Sequence, residues 1–191
     1  MEELSMEKLK IIAKKELEIF GGKPQVNRYW NEPETMGIDI LQCRNVPHET
    51  LLSCGTIGLA NTDIGLTSGG KKLRVEVIGV CDIGEEIMPN IIATLAFTIM
   101  QRKKCFPGLI VNDIVKEYID ADMKHILLND PFMWDNARSF PVGDITVAWL
   151  MAVPISDAEM LYADKHGVEA LEDLLEEKDV DVADLWRKSV I

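Results

Sequence analysis

Apolar positions recur at helical spacing near both ends of the chain and at strand spacing between them. Residues 3–20 place Leu9, Ile12 and Phe20 near the helical period, Lys and Glu fill the remaining face, and Gly21-Gly22 stops the pattern. This predicts an amphipathic helix. VNRYW (26–30), GIDILQC (37–43) and TLLSCGTIGL (50–59) follow, separated by Asn, Pro and Glu clusters, and predict three strands. Ser68-Gly69-Gly70 signals a turn. In LRVEVIGV, 73–80, Leu73, Val75 and Val77 alternate with Arg74 and Glu76, which predicts a half-buried strand.

Pro89 suits the first position of a helix, where its missing N–H is no loss. The sequence from there through Met100 is apolar on nearly every side, so this helix is expected to lie buried between other elements. Gln101-Arg102-Lys103-Lys104 brings cations to its negative end, and Phe106-Pro107-Gly108 closes it. KHILLND (124–130) and ITVAWLMAVP (145–154) predict two more strands, the second central because both its faces are apolar. Ser156-Asp157-Ala158-Glu159 has the capping-box pattern, and His166-Gly167 breaks the helix it opens. A last helix carries Val168, Leu171, Leu174 and Leu175 on one face. There is no internal repeat, low-complexity tract or linker. Strands grouped between terminal helices predict an α+β fold, a mixed β-sheet packed with helices, in one domain over 1–191.

The net charge of −12 on 191 residues disfavours bare nucleic acid and anionic membrane as partners and suits a basic protein. Cys43, Cys54, Cys81 and Cys105 form no CxxC pair, and three lie in strand-like runs, as expected of buried, reduced thiols. MEELSMEKLK has no apolar signal region. The longest apolar stretch, 91–100, falls well short of the roughly 20 residues of a membrane span. A cytoplasmic location is expected.

Chemical motifs are few. GLTSGGKK, 65–72, approaches the phosphate-binding pattern GxxxxGK[ST], but Lys72 stands where a hydroxyl should hold magnesium, and a strand follows instead of a helix. A Gly-rich hairpin turn explains it. Asp120, Asp122 and His125 could hold a divalent cation, but no second cluster completes a shell, and a polar turn before the strand at 124 explains them. No GxSxG elbow is present, and Ser53-Cys54-Gly55 lies inside a strand pattern. No cofactor is expected. In DPFMWD, 130–135, Phe132 and Trp134 are either binding hot spots or core anchors beneath the loop. From 154 onward there are eleven acidic residues against four basic ones, a net −7 of the chain's −12. The last helix turns Glu169, Glu172, Asp173, Glu176 and Glu177 away from its apolar stripe. That face is either simply solvated or a surface for a basic partner.

The strand ending in VPIS, the acidic HGVEALEDLLEE and the terminal DLWRKSV together resemble the suppressor of fused-like family. LLSCGTIGL at 51–59, RVEVIGV at 74–80, FPGLIVNDIV at 106–115 and HILLNDPFMW at 125–134 extend the resemblance, in order, over almost the whole chain. None of these is a catalytic signature. The resemblance implies a non-enzymatic, protein-binding module. Animal members clamp a short peptide between two domains; this chain matches one domain, so those peptide-binding residues are not carried over. Single-domain bacterial members resemble immunity proteins (antitoxins) of polymorphic toxin systems, including toxins with an LXG-type N-terminal domain. The implied partner is a basic toxin domain, met through Glu169, Glu172, Asp173, Glu176, Glu177, Phe132 and Trp134, or through an exposed sheet edge. A regulatory module with a non-toxin partner, an enzyme with an unrecognised site, and a homo-oligomer stay open.

Overall fold

The structure, a computed structural model, describes residues 4–32, 34–84 and 86–191. It opens with helix α1 (Met6–Phe20), capped by the Ser5 hydroxyl, which accepts from the Lys8 N–H. Strands β1 (Pro24–Trp30), β2 (Gly37–Arg44) and β3 (Leu51–Ile57) follow, then a single tight helical turn, Leu59–Asn61. The short β4 (Thr67–Ser68) precedes β5 (Lys71–Asp82) and helix α2 (Met88–Arg102). Next come β6 (Ile110–Val111), β7 (Met123–Asn129), β8 (Phe140–Val142) and β9 (Ile145–Ser156). Helices α3 (Asp157–His166) and α4 (Val168–Glu177) complete the series.

One mixed sheet joins the strands in the order β1-β2-β3-β5-β9-β7-β6, with β4 added beside β5 and β8 beside β9. Among the described strands only β5 and β9 run parallel, and they form its centre. Along β9, Ile145, Val147, Trp149, Met151, Val153 and Ile155 join one core, and Leu150 and Ala152 join the other. This alternation needs cover on both faces. Helix α2 covers one face, with Ile91, Ile92, Leu95 and Ile99 fully buried. The segment after it closes over its outer side: Ile114 and Val115 share its core, and the Thr94 and Tyr118 hydroxyls lie 2.5 Å apart. The expectation of a helix buried between elements is met in this way. Residues of α1, α3 and α4 cover the other face.

The expected elements form with ends shifted by a few residues. The near-phosphate motif is a hairpin: Thr67 faces Lys72, Ser68 faces Lys71, and Gly69 and Gly70 both take positive φ (56° and 77°). A two-residue turn of that handedness matches strand twist and favours glycine. Cys43, Cys54, Cys81 and Cys105 are all buried, and none is in a disulfide among the described residues. Burial pushes Cys43 up to about 11 and Cys105 to about 12, which keeps them protonated and unreactive.

The expected polar faces of α1 and β5 need correction. Glu16, Arg74 and Glu76 are all buried on the α1 side of the sheet. Arg74 reaches out to Asp63 at 2.7 Å, which lowers the Asp63 carboxyl to about 2. Glu76 accepts four hydrogen bonds, from the Thr56 hydroxyl (2.5 Å) and from the N–H groups of Gly58 (2.9 Å), Leu59 (3.1 Å) and Ala60 (3.2 Å). The carboxylate thus caps the turn at Leu59–Asn61 from inside the core. Among the described residues, neither oxygen of Glu16 has a hydrogen-bond partner. It rests on Gly55, where any Cβ would come within 1.9 Å of Oε1. A side chain at position 55 would therefore have to push the Glu16 carboxyl aside.

Burial raises both carboxyls, Glu76 from its ordinary 4.5 to about 7 and Glu16 well above its ordinary value, with like-charge repulsion from Glu76 adding to the burial of Glu16. The four donors make Glu76 the first of the two to ionise, at about 7, while Glu16 keeps its proton longer. The folded state then holds protons that the unfolded state has released. The associated stability is complete below pH 4.5 and drains as pH rises through about 7. Unfolding by denaturant at pH 5, 7 and 9 should show stability falling with pH. Glu16→Met should flatten that fall and raise stability at pH 9 by about 1–3 kcal/mol; a wild-type curve level from pH 5 to 9 would contradict the assignment.

Candidate functional site

Gly167, at φ 94°, turns the chain between α3 and α4. Leu171 and Leu175 fix α4 to the sheet, while Val168 and Leu174 are half-buried. Glu169, Asp173, Glu176 and Glu177 are exposed and Glu172 is half-buried. Partial burial, then the neighbouring charges of Asp130, Glu169 and Asp173, raise the Glu172 carboxyl above its ordinary value.

The loop at 130–135 divides its two aromatic residues. Its backbone folds tightly, with the Phe132 N–H donating to the Asp130 carbonyl at 2.9 Å. Trp134 points inward, 5 % exposed, with its ring centroid 5.4 Å from that of Phe20. Phe132 points outward and is 57 % exposed. Of the two aromatics expected at a partner surface, Trp134 is instead the anchor that holds the loop. Phe132 is the one presented.

Phe132 stands at the mouth of a cavity of about 390 Å³ between α4 and the sheet. Leu127 of β7 and Val153 of β9, paired in register, form its floor, and Leu175, Val180 and Val182 form its walls. Glu172, Glu176 and Asp179 stand around it. A broader depression beside it is lined by Glu169, Asp173, Phe106 and Gly108, and shares Asn129 and Glu172 with the first. The structure thus gathers Phe132, Glu169, Glu172, Asp173 and Glu176 on one surface. Glu177 lines neither hollow.

The wall formed by Val180 and Val182 depends on how the C-terminal segment is held. Ser156 and Glu159 form the expected capping box. Glu159, fully buried, also receives both terminal nitrogens of Arg187 (2.7 and 2.8 Å) and the Val190 N–H (3.1 Å). Arg187 donates further to the Pro154 carbonyl at 2.9 Å. A bidentate, charge-assisted pair of this kind fixes orientation as well as distance. It ties the tail to the end of β9, and Val182, Ala183 and Leu185 follow it into the two cores.

Asp120, Asp122 and His125 do not converge. Asp120 and Asp122 line an open cleft, where Lys188 lies 3.4 Å from Asp122. His125 is buried; its Nδ1 accepts from the Asp113 N–H at 3.0 Å, and Nε2 lies 2.9 Å from Asp157. Those contacts assign the proton to Nε2, which donates to the carboxylate. Asp157 also pairs with Lys124, so the imidazole fastens β7 to the start of α3. Among the described residues, no three His, Cys, Asp or Glu side chains gather where they could hold a metal ion, and no helix is long and apolar enough to cross a membrane.

The family model for suppressor of fused protein (SUFU) matches residues 34–188. The chain belongs to the suppressor of fused family. A Bacillus subtilis (strain 168) member named immunity protein YqcF is 38 % identical over 185 residues, spanning 95 % of this chain and 96 % of that protein. Among solved structures, a Neisseria gonorrhoeae suppressor of fused homolog superposes with a TM-score of 0.72 at 16 % identity, over 98 % of both chains. A chain of the Sufu–Fu complex superposes with a TM-score of 0.66 at 15 % identity, over 96 % of this chain and 92 % of that one. At such identities these two establish the shared fold.

Trp134→Ala should lower unfolding free energy by about 3–5 kcal/mol, as an emptied aromatic site does. Phe132→Ala should change it by no more than about 0.5 kcal/mol. Equilibrium unfolding of the two variants checks this; equal losses would contradict the division of the loop into anchor and presented ring.

Proposed function

We propose that this chain is an immunity protein that acts as one domain in the cytoplasm, binding the toxic domain of a cognate toxin one-to-one and blocking it without catalysis. The observation that carries the reading is the 38 % identity, over nearly the full length of both proteins, to a family member named an immunity protein. The roles of the buried polar groups agree with it. The polar clusters that could have been an active site are engaged in holding the fold: His125 with Asp157, Glu159 with Arg187, and Glu76 with its four donors.

The acidic face of α4, with Phe132 beside it, is the proposed contact surface, and the partner domain is basic. A one-signed patch speeds encounter with an oppositely charged partner and rejects partners of like charge. The direct test is co-expression with the toxic domain of a toxin from the same genome in a bacterial host. Restored growth and a one-to-one complex are expected. Failure to protect against every such domain would turn attention to a second reading, a regulatory module with a non-toxin partner, which the fold shared with the Sufu–Fu complex favours.

Reversing charge together at Glu172, Asp173, Glu176 and Glu177 should slow association with the toxin domain about tenfold or more at low salt and flatten its salt dependence. Stopped-flow mixing over a salt series measures this. Unchanged rates would remove the α4 face from the interface.

A further inference from the structure

We propose that the cavity between α4 and the sheet is the specificity pocket of the partner surface, and that it receives one apolar anchor side chain from a basic, amphipathic segment of the partner. The inference rests on the binding role argued above and adds the chemistry of what is bound. Its ground is the shape and lining of the groove rather than charge alone. Leu127 and Val153 form an apolar floor, and Leu175, Val180 and Val182 form apolar walls, in a cavity of about 390 Å³. That lies near the lower end of the range for small-ligand sites and suits a side chain with part of its backbone. Phe132 is a large ring left more than half exposed at the mouth by a loop that buries Trp134.

Charge selects the occupant. Every charged residue on the cavity lining, Glu172, Glu176 and Asp179, is acidic, and Glu169 and Asp173 continue the sign into the adjoining depression. An apolar segment flanked by acids would be repelled, and a neutral one would leave the carboxylates partly desolvated without partners. A segment with Lys or Arg on either side of an apolar residue satisfies both parts at once. Its anchor fills the cavity and its cations stand over the rim, one of them placed to stack on Phe132. A helix laid in a groove beside α4 presents residues in this pattern. A second copy of this chain fits less well, since its net charge is −12.

The test uses the full chain, isotopically labelled, titrated with three peptides of about 15 residues, a length at which a helix can form. One alternates Leu and Lys at amphipathic helical spacing. The second replaces its Leu with Ser, and the third replaces its Lys with Glu. The first should bind about tenfold more tightly than either other, with NMR shifts concentrated at Leu127, Phe132, Val153 and 172–182. Val180→Trp, which fills the cavity without changing charge, should abolish that preference; Phe132→Ala should weaken binding while leaving the fold intact, which covers the case of a Trp variant that does not fold. Equal affinity for the Leu and Ser peptides, or shifts located elsewhere, would overturn the pocket. So would self-association through this face in the unliganded protein. The immunity reading is judged separately: wild-type protein that fails to neutralise toxin sinks that reading, whereas full neutralisation by a folded Val180→Trp variant sinks only the pocket.

Discussion

β5 and β9 lie side by side and parallel at the centre of the sheet, twelve residues each, and neither face of that pair can meet water. Parallel neighbours require a crossover, and here the crossover carries α2 and β6 to β8. Helix α2 therefore closes one face, and the other is left to elements from the two ends of the chain, α1 and the pair α3–α4. The ends must be held firmly for the centre to stay dry. Glu159 and Arg187 do this at the C-terminal end, and the cap at Ser5 with the Phe20–Trp134 contact does so at the N-terminal end. The terminal helices are part of the core, and any surface they carry is rigidly placed.

The same constraint explains where polar groups are tolerated inside. Glu76 occupies the central strand only because the backbone after β3 turns three N–H groups and the Thr56 hydroxyl toward it. A buried acid with four donors is a structural fastener; one with none among the described residues is held neutral. Glu16 is of the second kind, with an oxygen placed over a glycine that leaves it room. Two acids in one core press each other toward neutrality, and the donors decide which yields.

The sequence made the framework legible where period and punctuation agreed. The central position of ITVAWLMAVP, the glycine hairpin at 69–70 and the capping box at Ser156 and Glu159 all follow local rules that the fold does not override. The burial of Glu16 and Glu76 was open to the same reasoning but masked by polarity. Glu16 stands four residues after Ile12 and four before Phe20, on the buried stripe, and Glu76 shares the parity of Ile78 and Val80. Position outweighed residue type in both. The short strands β6 and β8 were hidden because two or three residues carry no period, and β8 contains Pro141. Arg187 gave no local signal, since its partner lies 28 residues earlier. The cavity beside α4 was likewise invisible: it exists only where β7, β9, α4 and the tail meet.

That meeting changes what the acidic tail means. Counting charge along the chain treats all eleven acids alike, whereas the fold does not. Glu159 is spent on Arg187, and Asp157 on Lys124 and His125. Among the described residues, Glu169, Glu172, Asp173 and Glu176 have no such partners and stand close together, and partial burial followed by neighbouring charge raises Glu172. Like charges set close on one helix face weaken the fold slightly and are readily avoided in sequence. A groove with an apolar floor is a second such liability, and an outward Phe132 a third. Each alone is ordinary on a protein surface. Their convergence on one place, held by a buried ion pair and an anchored loop, is the arrangement expected where local stability is given up for binding.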